Sequence, residues 1–265
     1  MPLSEGRLLG NLVKRYWLFL HISFMGLMLM FPTVGHALDL NLRDVVGLYS
    51  GHQVDNKGQY YAYAGATLPL TGTQLSFEPF IDVFVARQKY IIKDGVGNLL
   101  PAYLNVYTAA LGVTKTFDRF SLSVSAGPAL QSFTEKFSYQ DQGQTVFGET
   151  SAKELGYTVS SYASYTIPDN RFELIASYSS QQGVYFGRTR WKHTVYKKPE
   201  WYNMEINPGL EFVAVGNDRF QAYSTGAVFE MKWKRVGILI RGGYQHTTAF
   251  QNGQYLGVEL FGTPF

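Results

Sequence analysis

The residues best placed to do chemistry are charged side chains that recur at every second position. Arg188, Arg190 and Lys192 alternate along one segment, and Glu205 and Glu211 share one parity of the next. Because successive side chains of a strand point to opposite faces, each set predicts one charged face. Four more polar residues fall on the equivalent parity of other segments: Glu78, Asp82, Arg241 and Gln245.

Two chemistries suit such faces. Opposite charges on neighbouring strands form cross-strand ion pairs that fill and brace a narrow barrel. The same side chains also hydrogen-bond sugar hydroxyls, and the many tyrosines supply rings for stacking, so a polar path for a carbohydrate is the alternative. We favour bracing, because alternating signs on neighbouring strands neutralise each other, whereas a path for an uncharged carbohydrate needs no net charge.

The histidines give little support to catalysis. His193 shares the apolar parity of Trp191, which is a poor place for a base, and His52 and His246 fall near predicted strand ends as polar rim residues. No His/Asp cluster has the spacing of metal ligands, and no glycine loop of a nucleotide site is present. The sequence therefore predicts a protein that is not an enzyme and has no cofactor or metal.

Short stretches of alternating apolar and polar residues must position these side chains. In one of them Met204, Ile206 and Leu210 oppose Glu205 and Glu211. A carboxylate facing lipid at mid-depth would cost a few kcal/mol, so the charged faces are assigned to the lumen. The pattern predicts an all-β fold, a transmembrane antiparallel up-and-down β-barrel of the outer-membrane type. Its twelve strands are 41–54, 58–69, 74–90, 101–115, 119–137, 152–166, 171–180, 184–195, 201–215, 219–232, 235–247 and 254–265.

The links between these segments alternate in length, which predicts short periplasmic turns, longer outer loops and periplasmic termini. The stretches 91–100 and 138–151, rich in Gly, Asp and Gln, are predicted to be the longer loops. A bulge near Gly262 would reconcile the two parities of the last strand. Twelve filled strands predict a narrow pore or none.

Both ends carry export signals. Cationic residues, the apolar core 16–31 and Gly35-His36-Ala37 predict a signal peptide over 1–37, cut after Ala37, and a β-barrel over 38–265. A retained anchor is the rival interpretation, although the core is short for a membrane span. Phe265 resembles the terminal aromatic that barrel assembly machinery recognises. There is no cysteine, so closure depends on hydrogen bonding and packing.

Four segments stand out along the predicted strands: YYAYAGATLPL (60–70), SYSSQQGVYFGRTRW (177–191), PGLEFVAVGNDRFQAYSTGAVF (208–229) and RGGYQ (241–245). They resemble the bacterial cellulose biosynthesis protein BcsS family, most closely over 172–245. The resemblance implies an accessory of cellulose production in the outer membrane of a Gram-negative bacterium. Outer-membrane lipid, cellulose and components of the cellulose synthase complex would be its partners. No catalytic residues come with the resemblance.

Three functions follow as hypotheses. The first is a non-catalytic barrel that assists cellulose (exopolysaccharide) biosynthesis, export or anchoring in a biofilm. The second is an oligosaccharide-permeable channel. The third is an outer-membrane lipid hydrolase, which needs Ser and His to converge at the outer leaflet. The near-neutral predicted mature chain gives no sign of nucleic-acid binding.

Overall fold

The computed structural model describes residues 47–70, 77–93, 97–141, 144–198, 204–217, 221–248 and 252–262. The predicted signal peptide, its cleavage site and Phe265 lie outside these residues. Within them, no helix is long and apolar enough to cross a membrane.

The described residues form one closed antiparallel sheet. Its strands are β1 (Gly47–Asp55), β2 (Tyr60–Pro69), β3 (Glu78–Lys93), β4 (Leu99–Phe117), β5 (Phe120–Asp141), β6 (Gln144–Ile167), β7 (Asn170–Ser179), β8 (Val184–His193), β9 (Tyr196–Lys198), β10 (Met204–Gly216), β11 (Gln221–Trp233), β12 (Val236–Thr247) and β13 (Gly253–Gly262). Consecutive strands pair from β1 to β8 and from β10 to β13, β13 pairs with β1, and β10 pairs with β8, β9 and β11. The twelve-stranded antiparallel barrel predicted from the sequence is confirmed.

The apolar and polar faces follow the period of two. Along the first half of β5, even-numbered residues such as Leu122 and Val124 are exposed on the outer surface, while Ser121, Ser123 and Ser125 are less exposed and line the lumen. The exposed apolar side chains form an outer band that suits lipid. A closed barrel also leaves no unpaired backbone groups facing the lipid.

A bulge joins β8 to β9, so the two segments serve as one barrel strand. The register of β10 pairs Gly209 with Lys192 but Ile206 with Tyr196, which leaves one extra residue on the β8–β9 side. Pro208 lies opposite this break and has no N–H to donate to a ladder. The proline thus marks where regular pairing stops, and it explains why thirteen strand segments build twelve barrel strands.

Strands extend into both predicted long loops, 91–100 and 138–151, and most of 138–151 is strand. Strand β3 continues to Lys93, β4 begins at Leu99, and β5 and β6 pair out to Asp141 and Gln144. Strand β6 pairs with β7 only from Thr158 onward, so the end of the β5–β6 hairpin extends past its neighbour. Over 144–155 residues of both parities are exposed, so the alternation that reveals a half-buried strand is lost.

The two barrel ends are named for what they carry. The terminal end is where β1 begins and β13 ends, and the hairpin end is the opposite one, reached by the β5–β6 hairpin. Pairing of β13 stays regular with both neighbours through Gly262, so no bulge occurs between Gly253 and Gly262. Phe261 instead points to the lumen, with its ring against its cross-strand partner Gly237.

Glycines opposite lumen aromatics make room for the rings. Tyr49 on β1 lies over its cross-strand partner Gly65 on β2, and Tyr63 on β2 lies over its cross-strand partner Gly51 on β1. A Cβ at either glycine would overlap the facing ring. The paired ring covers the glycine backbone, a device that compensates for a missing side chain in a sheet.

Candidate functional site

A cluster of ionised side chains fills one side of the lumen. We call it the charged wall; it comprises Arg171, Glu173, Arg188, Arg190, Lys192, Glu211, Glu230, Arg241 and Glu259. Its members come from β7, β8 and β10–β13, and period two points them inward on every one of these strands.

Arg190 is the centre of the charged wall. Its Nε lies 2.6 Å from Glu211 Oε2 on the adjacent strand β10. Its Nη1 and Nη2 each lie 2.7 Å from one oxygen of the Glu259 carboxylate, a two-point contact. Since β10, β11 and β12 separate β8 from β13 in the sheet, this contact crosses the lumen rather than following the wall.

Two more arginines complete this part of the cluster. Arg188 Nη1 lies 2.9 Å from Glu259 Oε1, and Arg241 Nη1 lies 3.1 Å from Glu211 Oε1. The side chains of Arg190, Arg241, Glu211 and Glu259 expose at most 7% of their surface. Short contacts between buried, oppositely charged groups are strong only when each charge is fully paired, and each carboxylate here meets at least two guanidinium groups.

A second group continues the charged wall toward the terminal end. Lys192 Nζ lies 3.1 Å from Glu173 on β7 and 2.5 Å from Glu230 on β11. Asn207 donates its amide to the other Glu230 oxygen over 2.8 Å. Arg171 contacts Glu173 at 3.0 Å. These contacts bridge β7, β8, β10 and β11 across their lumen faces.

The structure separates some of the sequence-predicted site residues from this cluster. Arg188, Arg190, Glu211 and Arg241 belong to it. Glu205 does not: its side chain is 25% exposed and pairs at 3.3 Å with Lys197, which is itself 65% exposed.

The other three predicted residues lie apart as well. Glu78 is exposed at the first position of β3. Asp82 accepts hydrogen bonds from the Tyr49 hydroxyl at 3.1 Å and the Thr67 hydroxyl at 2.9 Å. Gln245 accepts one from Gln53 at 3.5 Å. The predicted residues therefore form one ionic cluster and several local polar contacts.

Glu259 and Glu230 are central to the charged wall but were not singled out from the sequence. Glu259 shares its parity with the apolar Phe261, so the sequence did not show which face of the last strand points to the lumen. Its alternation with Val258 and Leu260 was the available signal. Glu230 alternates with Phe229 and Met231, but the inner face of its strand also holds small and apolar residues (Ala222, Ser224, Gly226 and Val228), so the pattern there was weak.

Aromatic rings adjoin the polar lumen on β1–β3. Tyr61 and Tyr63 have ring centroids 5.4 Å apart, and Tyr63 lies 6.0 Å from Phe84. Tyr49 stacks on Phe84 at 6.4 Å while its hydroxyl contacts Asp82. These rings give the lumen flat apolar faces beside a carboxylate, which is the chemistry that sugar rings use for stacking and hydrogen bonding.

The lumen face of β4–β6 is different. We call it the hydroxyl wall; its members are Thr108, Ala110, Gly112, Thr114, Ser121, Ser123, Ser125, Gly127, Ala129, Thr158, Ser160 and Ser164. The Thr114 and Ser123 hydroxyls hydrogen-bond each other over 2.7 Å. Their side chains are small, carry no charge and reach only a short way into the lumen. Tyr162 on the same face is larger, and its hydroxyl accepts a hydrogen bond from Arg171 of the charged wall.

The histidines make structural contacts. His193 Nδ1 lies 3.2 Å from Asn170 Oδ1, which also accepts a hydrogen bond from Trp191 Nε1 at 3.0 Å. The His52 ring stacks on Tyr60 at 6.2 Å. In the described part of the chain, no group of three or more His, Cys, Asp or Glu side chains is arranged to hold a metal ion.

Comparison with solved structures identifies the class of fold as an outer-membrane β-barrel. The β domain of the Bordetella autotransporter BrkA superposes with a TM-score of 0.55 at 8% identity, covering 83% of this chain and all of that one. The translocator domain of the autotransporter NalP from Neisseria meningitidis gives 0.48 at 13% identity, covering 92% of this chain and 96% of that one. Identities this low show the fold and nothing of function.

A match to a protein family is more specific than these structural similarities. The model of the cellulose biosynthesis protein BcsS family matches residues 47–262, and the chain belongs to that family. The resemblance predicted from the sequence is thereby confirmed. A comparison with curated protein sequences gives no match.

Proposed function

We propose that this barrel is a non-catalytic accessory of cellulose production that helps the polymer to pass or to stay attached at the outer membrane. The family match across the whole barrel carries the proposal, because it links the described fold, and not a fragment of it, to cellulose biosynthesis. The synthase itself and the barrel assembly machinery, the latter through Phe265, are the protein partners we expect.

The distribution of charge supports a division of labour inside the lumen. Apart from Arg171, the charged wall is largely buried, and its ions contact one another, so we assign it to bracing the barrel. Cellulose is an uncharged glucan rich in hydroxyl groups. The uncharged hydroxyl wall and the Tyr49–Tyr63–Phe84 rings match that chemistry better than the paired ions do.

A gene deletion tests the proposal. Loss of the protein should lower the cellulose that remains bound to cells, measured by dye binding, and a plasmid copy should restore it. Dye bound to cells and dye bound to released material are scored separately, because export and anchoring change them differently. Unchanged cellulose in both fractions would contradict the proposal.

An oligosaccharide-permeable channel is the second candidate, favoured by the small, uncharged side chains of the hydroxyl wall. It predicts single-channel conductance in planar bilayers that falls when oligosaccharides are added. It also predicts normal cellulose in the deletion strain, which is the opposite of the leading proposal.

A further inference from the structure

The outer surface of β3–β6 changes abruptly from apolar to cationic toward the hairpin end. Cross-strand register places Val85, Tyr107, Leu130 and Leu155 in one row across these four strands. All of them are exposed, from 39% for Val85 to 79% for Leu155. Such a row suits contact with lipid acyl chains.

The next outward row toward the hairpin end is entirely polar. The same registers place Arg87, Asn105, Ser132 and Lys153 side by side, two residues along each strand from the apolar row. Lys89 adds a further cation in the row beyond, beside Tyr103. Neighbouring strands lie about 4.8 Å apart, so the polar row spans roughly 14 Å from Arg87 to Lys153.

The arginine of this row is held in place. The Arg87 guanidinium carbon lies 5.5 Å from the centre of the Tyr103 ring, a cation–π contact. That contact leaves the planar N–H groups of Arg87 free to bind a phosphate at two points. Asn105 and Ser132, between the two cations, offer further donors of hydrogen bonds.

The cations are concentrated on this side of the barrel. Of the carboxylates nearby, Glu135 and Glu154 lie on the opposite face of β5 and β6, and Glu149 is paired in register with Lys136. In the described part of β7–β13, the outward positions near the hairpin end carry no lysine or arginine; they hold Tyr178, Tyr185, Tyr223, Tyr244, His246 and Gln254.

We infer that Arg87, Lys89 and Lys153 form a binding site for the phosphorylated headgroup of lipopolysaccharide. An amphiphile with acyl chains on the apolar row and phosphates on the row above fits both rows at once, and charge complementarity selects an anionic head. The site requires the hairpin end to face outward, in line with periplasmic termini. It does not depend on the role in cellulose production.

The experiment compares two triple variants of the mature protein in detergent. The site variant is Arg87→Gln, Lys89→Gln and Lys153→Gln. The control, Lys115→Gln, Lys197→Gln and Lys234→Gln, has the same net charge but changes cations that lie toward the terminal end. Bound lipid is measured by native mass spectrometry with diphosphoryl lipid A and with the same lipid dephosphorylated.

We expect wild type and control to bind diphosphoryl lipid A, and the site variant to bind it at least about tenfold more weakly. Three results would overturn the site. The site variant could bind diphosphoryl lipid A as tightly as wild type, the control could lose as much binding as the site variant, or wild type could bind the dephosphorylated lipid as tightly as the diphosphoryl form. Phosphatidylglycerol bound as tightly as lipid A would overturn the choice of lipopolysaccharide.

Two further measurements keep the test decisive. Arg87→Lys keeps the charge and the fold but loses two-point phosphate binding, and should weaken lipid A binding by itself. Because the chain has no cysteine, Thr145→Cys provides a single label site near the tip of the β5–β6 hairpin. A membrane-impermeant maleimide should label it on whole cells, and failure to label would place the patch in the wrong leaflet.

Discussion

The charged wall and the hydroxyl wall line the polar lumen with opposite kinds of side chain. The charged wall uses long ionised side chains that meet across the lumen, with Arg190 on β8 reaching Glu259 on β13. The hydroxyl wall uses short uncharged side chains that bond to their neighbours, as Thr114 and Ser123 do. One wall ties distant strands together, and the other leaves its side of the lumen lined with donors and acceptors.

The number of ion pairs in the charged wall is a poor measure of the stability they provide. A buried charge is costly unless it is fully paired, and replacing a whole buried group by apolar residues is often neutral. What the charged wall does provide is mutual dependence, because its central members each contact at least two opposite charges, as Arg190 contacts Glu211 and Glu259. The following predictions exploit that dependence, from the largest expected effect to the smallest.

Reversing the charge of Arg190 or of Glu211 should prevent assembly of the barrel, and exchanging both charges should not rescue it. The two residues are cross-strand partners, yet Arg190 also contacts Glu259 and Glu211 also contacts Arg241. Arg190→Glu with Glu211→Arg therefore places like charges together at both outer contacts. We expect loss of the heat-modifiable band of assembled barrel on electrophoresis for both single variants and for the double variant. Recovery in the double variant would show that the pair acts alone.

Glu259→Gln should be the most damaging conservative change. It leaves Arg188, Arg190 and Arg241 short of one carboxylate in a buried setting, and removal of one partner from a buried ionic group costs about 3–5 kcal/mol. The free energy of unfolding in urea, measured in detergent or lipid, checks this. A loss below about 1 kcal/mol would mean that water screens the cluster.

Thr114→Val should cost much less, although the residue also faces the lumen. It removes a single hydroxyl–hydroxyl bond to Ser123 and keeps the side-chain volume. Such a bond contributes about 0.5–1.5 kcal/mol, and the same urea experiment measures it. An effect as large as that of Glu259→Gln would erase the distinction between the two walls.

The smallest effect is expected at Lys197 and Glu205. This ion pair is partly exposed, and among the described residues neither side chain forms a second salt bridge. Its contribution should be about 0.2–1 kcal/mol. A double-mutant cycle gives the coupling directly. Coupling of several kcal/mol would show that the pair belongs to the buried cluster.

The sequence predicts the strands and their facing wherever one side meets lipid and the other water. Alternation alone placed Arg190 and Glu211 on neighbouring inner faces, and the structure has them in register. It failed at the end of the β5–β6 hairpin, where residues of both parities are exposed and alternation is lost. The partner of Arg188 could not be predicted either, because Glu259 is reached only after the sheet has closed and curvature brings β13 across the lumen.

The measurement that tests the account most directly adds the same bulk to the two faces of one strand. Ser123→Trp and Ser125→Trp extend from the hydroxyl wall into the lumen, whereas Val124→Trp points to the outer surface. Each variant is expressed in the deletion strain, and cell-bound cellulose is compared at equal amounts of assembled barrel. We predict reduced cellulose for both lumen variants and wild-type cellulose for Val124→Trp. Equal cellulose in all three would contradict a role for the hydroxyl wall.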